Sequence, residues 1–390
     1  MKIIRLVESI VKFLLKSICW FIYPMDKRLI TFIVTAEHSG CNVSPILEQA
    51  EKLSFYKIKT FKSEISLPNT VWKKLSYAWN YYKLLAKSRL IVTTHGLKKL
   101  RARTIHLELW HGFATKKAGL LDRREKSFEC KPDVVCCYSN FDAVLKNARW
   151  GLTIDEYVVC GAPRNDYLFI ENGHENLEKL FKMRLTGERK ILFAPTFRVG
   201  YRNFVEGKRT FDNIFDFEDF DVERFCTFLR DNRIFLFVKL HPFEERFFRE
   251  KVKAFETDRI KLIDTQLLQK EKMDLYKLLN AFDLLISDYS SLYFDWLLLN
   301  RPVIFTPTDI EEYWNGRGGW LLEPYDFWAA GPKCTDQESL EREILKSLED
   351  LNYYRERRET IRDIVHRYRD ARSTERVIQL IKKLMEEGKP

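Results

Sequence analysis

A chain of 390 residues with 45% hydrophobic and 14% aromatic side chains is too apolar for disorder and long enough for about two domains. Its net charge of +10, from 66 Lys+Arg against 56 Asp+Glu, favours an anionic partner such as a phosphate or a membrane surface. The basic residues are dispersed among acids and no recognition module is visible, which argues against nucleic acid.

The first predicted element is a helix within residues 2–23. Lys2, Arg5, Lys12 and Lys16 share one side, and Ile3, Val7, Ile10, Leu14 and the cluster Ile18–Tyr23 favour another. Charges interrupt the apolar run and no cleavage site follows, so neither a signal peptide nor a membrane span is expected. A basic amphipathic helix ending in Trp and Tyr fits a membrane interface, and it equally fits packing on the protein's own core.

Short apolar runs then alternate with helical patterns. Strands are predicted at 29–36, 89–94, 104–110, 133–139 and 156–161, and again at 190–196, 234–242, 259–265, 283–290 and 302–307. Their continuous apolar character predicts parallel strands covered on both faces. The polar, helical stretch 171–190 separates the two series and places a domain boundary there. The expected organisation is an amphipathic helix (1–25), an N-terminal Rossmann-like domain (26–175), a C-terminal Rossmann-like domain (176–350), and long C-terminal helices packing back across both (351–390). Eight cysteines include no C-x-x-C pair, and they read as reduced core thiols of a cytosolic protein.

The chemistry gathers where strands end, which is where α/β folds carry their sites. His111 follows the strand 104–110, and His241 follows the strand 234–240. One such histidine would read as structural; two, one in each half, shift the balance toward function. In "SDYSS", Ser290 or Ser291 can cap the next helix, whose free N–H groups would cradle a phosphate, while Asp288 could orient a hydroxyl or simply cap. No G-x-G-x-x-G, Walker or G-x-S-x-G pattern occurs, and no carboxylate cluster marks a metal site, so metal- and cofactor-independent chemistry is expected.

Seven motifs in order resemble the CDP-glycerol glycerophosphotransferases of teichoic-acid and capsule synthesis. Trp110, His111, Gly112, Lys116 and Gly119 match the family's Trp-His-Gly-Thr-Pro-x-Lys-x-x-Gly. "GAPRND" (161–166), "ILFAPTFR" (191–198), "VKLHP" (238–242), "LLISDYSSLYFDWLLLNRPVIF" (284–305), "DIEEY" (309–313) and "RGGW" (317–320) follow. Phe113-Ala114 departs from the family's Thr-Pro.

This resemblance implies a GT-B-like fold, two Rossmann-like domains facing a cleft, with the nucleotide held by the C-terminal half. An acceptor hydroxyl attacks the phosphorus next to glycerol and CMP leaves. By that analogy His111 is the general base and His241 the pyrophosphate partner. Substrate contacts are expected from Gly112, Lys116, Arg164, Asn165, Asp166, Thr196, Arg198, Lys239, Ser287, Asp288, Ser290, Ser291, Asp295 and Glu312. The acceptor would be a lipid-linked glycan at the cytoplasmic face of an anionic membrane, with the enzyme peripheral and open to forming a homo-oligomer. A CDP-ribitol enzyme, a nucleotide-sugar glycosyltransferase and a non-catalytic membrane scaffold are the rivals; the retained histidines and "SDYSS" argue against the last.

Overall fold

The computed structural model describes residues 2–63, 70–122, 130–198 and 205–389, with side chains in the first helix from Ile10 onward. The expected facing of Lys2, Ile3, Arg5 and Val7 therefore lies outside the described residues.

The protein is α/β with two parallel sheets. The first has six strands: β1 (Asp26–Thr35), β2 (Lys57–Ser63), β3 (Ser88–Thr93), β4 (Ile105–Glu108), β5 (Val134–Cys137) and β6 (Tyr157–Val159), in the order β2-β1-β3-β4-β5-β6. The second has five: β7 (Arg189–Phe193), β8 (Ile234–Val238), β9 (Ile260–Leu262), β10 (Leu284–Ser287) and β11 (Val303–Phe305), in the order β11-β10-β7-β8-β9. Every pairing between these strands is parallel. The strands β4, β5, β8, β10 and β11 are buried along their whole length. That is why they read as unbroken apolar runs.

The strand missed by the sequence is β2. Its "KIKTFKS" buries only Phe61, because an edge strand needs no apolar face on its solvent side.

Strand order reverses once in each sheet, between β1 and β3 and between β7 and β10. The carboxyl ends at such a switch point splay apart and leave a crevice. Loops 36–43 and 94–96 flank the first, and loops 194–198 and 288–291 flank the second.

The helix Ser373–Glu386 buries Val377, Ile378, Ile381 and Leu384 in the core of the first sheet, although it is last in the chain. The preceding helix, Arg355–Val365, sends Ile361 and Val365 into a core shared by residues of both halves. The eight cysteines are free thiols, all buried but Cys130.

The N-terminal helix, Lys2–Ile22, docks Leu15 and Cys19 against the layer formed by the helix Val71–Lys87 and β3. Its other side leaves Ile10, Leu14 and Ile22 exposed, with Phe13 67% and Phe21 84% accessible. No helix among the described residues is long and apolar enough to cross a membrane.

Candidate active site

The first group of expected site residues is built at the ends of β3 and β4. Trp110 takes a left-handed conformation (φ 58°), which breaks the strand and turns His111 back toward β3. Two hydrogen bonds hold that turn: Trp110 N donates to Glu108 Oε1 at 2.9 Å, and Asn42 Nδ2 donates to the Trp110 carbonyl at 2.7 Å. The His111 ring then lies on the ring of His95, with centroids 4.2 Å apart and planes 11° from parallel. His111 Nδ1 is 2.8 Å from the Thr94 carbonyl. A carbonyl only accepts, so Nδ1 carries the proton and Nε2 is left as the basic lone pair.

Both residues reach solvent, yet enough protein surrounds the rings to desolvate them. That setting disfavours the cation. Desolvation holds His111 well below the ordinary histidine range, with His95 adding to the effect. Desolvation likewise takes His95 to about 4. Both are neutral near pH 7.

The second group includes His241, the N-cap of the helix Pro242–Lys253. Its Nδ1 accepts from Phe243 N at 3.2 Å, so its Nε2 faces away from the helix. Desolvation, with Lys239 and Lys116 nearby, pushes His241 down to about 3. Lys116 lies in the same space, its Nζ 5.2 Å from the Tyr313 ring centre and 5.6 Å from that of Phe197. No carboxylate among the described residues pairs with it, and desolvation lowers it to about 7. Its backbone is held by a bridge to Trp320, which ties "KK" to "RGGW".

Gly112 and "SDYSS" meet directly. A Cβ on Gly112 would lie 2.9 Å from Ser291 Oγ and 3.3 Å from its Cβ. The glycine thus admits the second half's loop as well as any ligand. Ser290 Oγ accepts from Leu292 N at 3.3 Å, whereas Ser291 makes no side-chain cap. The short helix that follows, Leu292–Trp296, buries its whole length.

Several residues expected to contact substrate are engaged with protein groups. Arg198 is 1% exposed. It donates to Asp309 and Asp288 at 2.6–2.9 Å and to the Thr196 carbonyl at 2.6 Å. Asp288 also takes Arg209 at 3.0 Å and both Thr196 N and Oγ1, at 2.8 and 2.7 Å. Burial would raise the Asp288 carboxyl, but the two arginines win and hold it at about 2. This network pins the switch point between β7 and β10. Lys239 is tied to Glu245 at 2.6 Å, and Ser287 Oγ donates to the Ala194 carbonyl at 2.8 Å.

Arg164, Asn165 and Asp295 form a buried knot between the halves. Asp295 accepts from Arg164 Nη2 (2.6 Å), Asn165 Nδ2 (2.8 Å) and Tyr276 Oη (2.6 Å). Arg164 Nη1 also donates to the His111 carbonyl at 2.9 Å, so the knot braces the "WHG" turn from behind. Asp166 accepts from Ser373 N and Thr374 N at 3.0 and 2.7 Å, anchoring the last helix. Glu312 pairs with Lys208 near the surface. The expected site side chains brought near one another are therefore His111, Lys116, His241 and Ser291, with Gly112 against Ser291.

His95 was missing from the expected set. Its signal was present, since "TTHG" ends β3 as "LWHG" ends β4. The Phe113 departure is also explained. Phe113 is 3% exposed and packs 4.8 Å from Phe294 and 6.0 Å from Tyr138, so it is core between the halves and not a pocket residue.

The profile of CDP-glycerol:poly(glycerophosphate) glycerophosphotransferases matches residues 15–383. The chain belongs to this family. It is 26% identical to the teichoic acid glycerol-phosphate primase of Bacillus subtilis (strain 168), over 99% of this chain and 100% of that one. It is 27% identical to the teichoic acid ribitol-phosphate polymerase TarL of Staphylococcus aureus (strain NCTC 8325 / PS 47), over 62% of this chain but only 40% of the relative's length. The fold is that of the wall teichoic acid polymerase TagF, with a TM-score of 0.72 at 19% identity over 99% of this chain and 97% of the other. The resemblance carried by the ordered motifs is thereby established across nearly the whole chain.

Proposed function

We propose that this family member transfers glycerol phosphate from CDP-glycerol to a hydroxyl of a lipid-linked glycan or of a growing teichoic-acid chain, releasing CMP. The observation that carries the reading is His111, a neutral imidazole whose tautomer leaves Nε2 basic at the cleft. Nε2 takes the acceptor's hydroxyl proton. The freed oxygen bonds to the phosphorus beside glycerol, the bond from that phosphorus to the bridging oxygen breaks, and CMP departs with its electron pair. Lys116 and His241 line the place where that charge develops. Such chemistry is mostly positioning and electrostatics, which suits a cleft between two braced halves.

Glycerol is favoured over ribitol because the relative matched over its entire length is named a glycerol-phosphate primase. We divide the chain as a GT-B-like pair of Rossmann-like domains, 26–175 toward the acceptor and 176–350 toward the nucleotide, with residues 351–390 strapping them. The helix at 1–25 is read as a peripheral anchor at the cytoplasmic face of the membrane. Support comes from its uncovered Ile10, Phe13, Leu14, Phe21 and Ile22, an apolar stripe suited to the headgroup boundary.

Chromatography of the released nucleotide tests the reaction. CDP-glycerol with a lipid-linked glycan should give CMP and a phosphodiester. CDP or UDP from a sugar donor, with no CMP from an alditol donor, would overturn it.

A further inference from the structure

His111 is stacked on a second imidazole that the reaction above does not use. We propose that His95 is a positioning residue for His111: its ring covers one face of the imidazole, keeps water from that face and holds Nε2 toward the cleft. This inference rests on His111 being the base.

The placement of His95 is built in from several sides. Thr94 supplies both anchors, its carbonyl to His111 Nδ1 and its hydroxyl to His95 Nδ1, each at 2.8 Å. The two rings are therefore fixed to one residue and cannot drift apart independently. Just beyond His95, Gly96 turns at φ +71°, and its N–H donates to Glu108 Oε2 at 2.8 Å. The same carboxylate, through Oε1, holds the Trp110 turn that aims His111. Glu108 is fully buried and so clamps the ends of β3 and β4 at one point.

A stacked aromatic face is a poor substitute for water around an imidazolium. Among the described residues, the charged and titratable groups acting on the two rings are Arg149 on the helix Asn140–Trp150, Arg164 behind the turn and Glu108 beneath, with His241 facing His95 and Lys116 beside His241. None of these lies flat on the His111 ring as His95 does. Trp110 also touches the His111 ring, tilted by 36° with centroids 4.1 Å apart. With Nδ1 held by the Thr94 carbonyl, Nε2 is the ring nitrogen left for a substrate. A proton taken from an acceptor hydroxyl would then sit on a cation that the pocket does not retain, which speeds its return to solvent.

The test compares wild type, His95→Ala, His95→Asn and His95→Phe. The titration of His111 is read by NMR from its ring Cε1–H signal, assigned through loss in His111→Ala. The acid limb of kcat/KM for CDP-glycerol is read in parallel. In His95→Ala and His95→Asn, water reaches the uncovered face, so the His111 midpoint should climb by about one unit or more toward its ordinary value near 6.5. The acid limb should move with it. His95→Phe keeps a flat cover and should hold the midpoint low. An unmoved midpoint in both His95→Ala and His95→Asn overturns the proposal, as does His95→Phe behaving like His95→Ala. If the midpoint climbs while the acid limb stays, the positioning role of His95 stands and His111 is not the base.

Discussion

Replacing Asp295 with alanine should show that this residue holds the halves together. Its carboxylate is fully buried and takes three hydrogen bonds, from Arg164, Asn165 and Tyr276, at 2.6–2.8 Å. Removing it leaves the Arg164 guanidinium, itself 4% exposed, without its counter-charge. Breaking a buried ion pair from one side costs about 3–5 kcal/mol. An unfolding entropy of ~2.1 cal/mol/K per residue gives ~0.8 kcal/mol/K for a chain of this length, so Tm should fall by roughly 4–6 °C. Asp295→Asn should fall between, because the amide keeps the volume but turns an N–H toward a donor. The effect has a pH signature. Burial alone would raise the carboxyl, but Arg164 and the hydrogen bonds from Tyr276 and Asn165 hold it below the ordinary value. Its contribution is therefore full above about pH 4, the unfolded value, and is lost as pH falls through the folded one. The gap between wild type and Asp295→Ala should narrow in acid. Ligand-free thermal and urea unfolding measure this. A loss below about 1 kcal/mol at pH 7 would refute the knot and return Asp295 to a substrate role.

His111→Ala and His241→Ala should each lower kcat by roughly 10²-fold or more with little change in Tm, as loss of acid–base help predicts; near-normal turnover in both would remove them from the mechanism. Lys116 is charged below about pH 7 and neutral above. If it faces the donor's phosphates, the Kd for CDP-glycerol should rise as pH passes from 6 to 8.5, and Lys116→Arg should flatten that slope, which calorimetry can read. Phe13→Glu with Phe21→Glu alters only the exposed face of the first helix and should weaken flotation with anionic vesicles several-fold without changing Tm; equal flotation would leave the anchor without support.

The parallel α/β architecture was legible in the residues because strands buried on both faces must be apolar at every position. "VVCC" and "LLIS" read as buried strands, and among the described strands the one overlooked, "KIKTFKS", is an edge. His111 and His241 were legible for a related reason, since a polar residue directly after such a run falls at a sheet's carboxyl edge. The role of each charged residue was not legible. Arg198 and Lys239 read as pyrophosphate donors and Arg164 as a substrate contact, and the fold pairs them with carboxylates at Asp288, Asp309, Glu245 and Asp295, from 6 to 131 residues away in sequence. Lys116 makes no ion pair among the described residues, because the fold sets aromatic rings around its amine. His95 became a partner of His111 only when β3 and β4 paired in register and Trp110 broke the strand with a positive φ. Apolar periodicity is a local property that a sequence carries in its own order. Which cation meets which anion depends on where chain segments cross, and that is decided only when the strands reverse order and their ends converge.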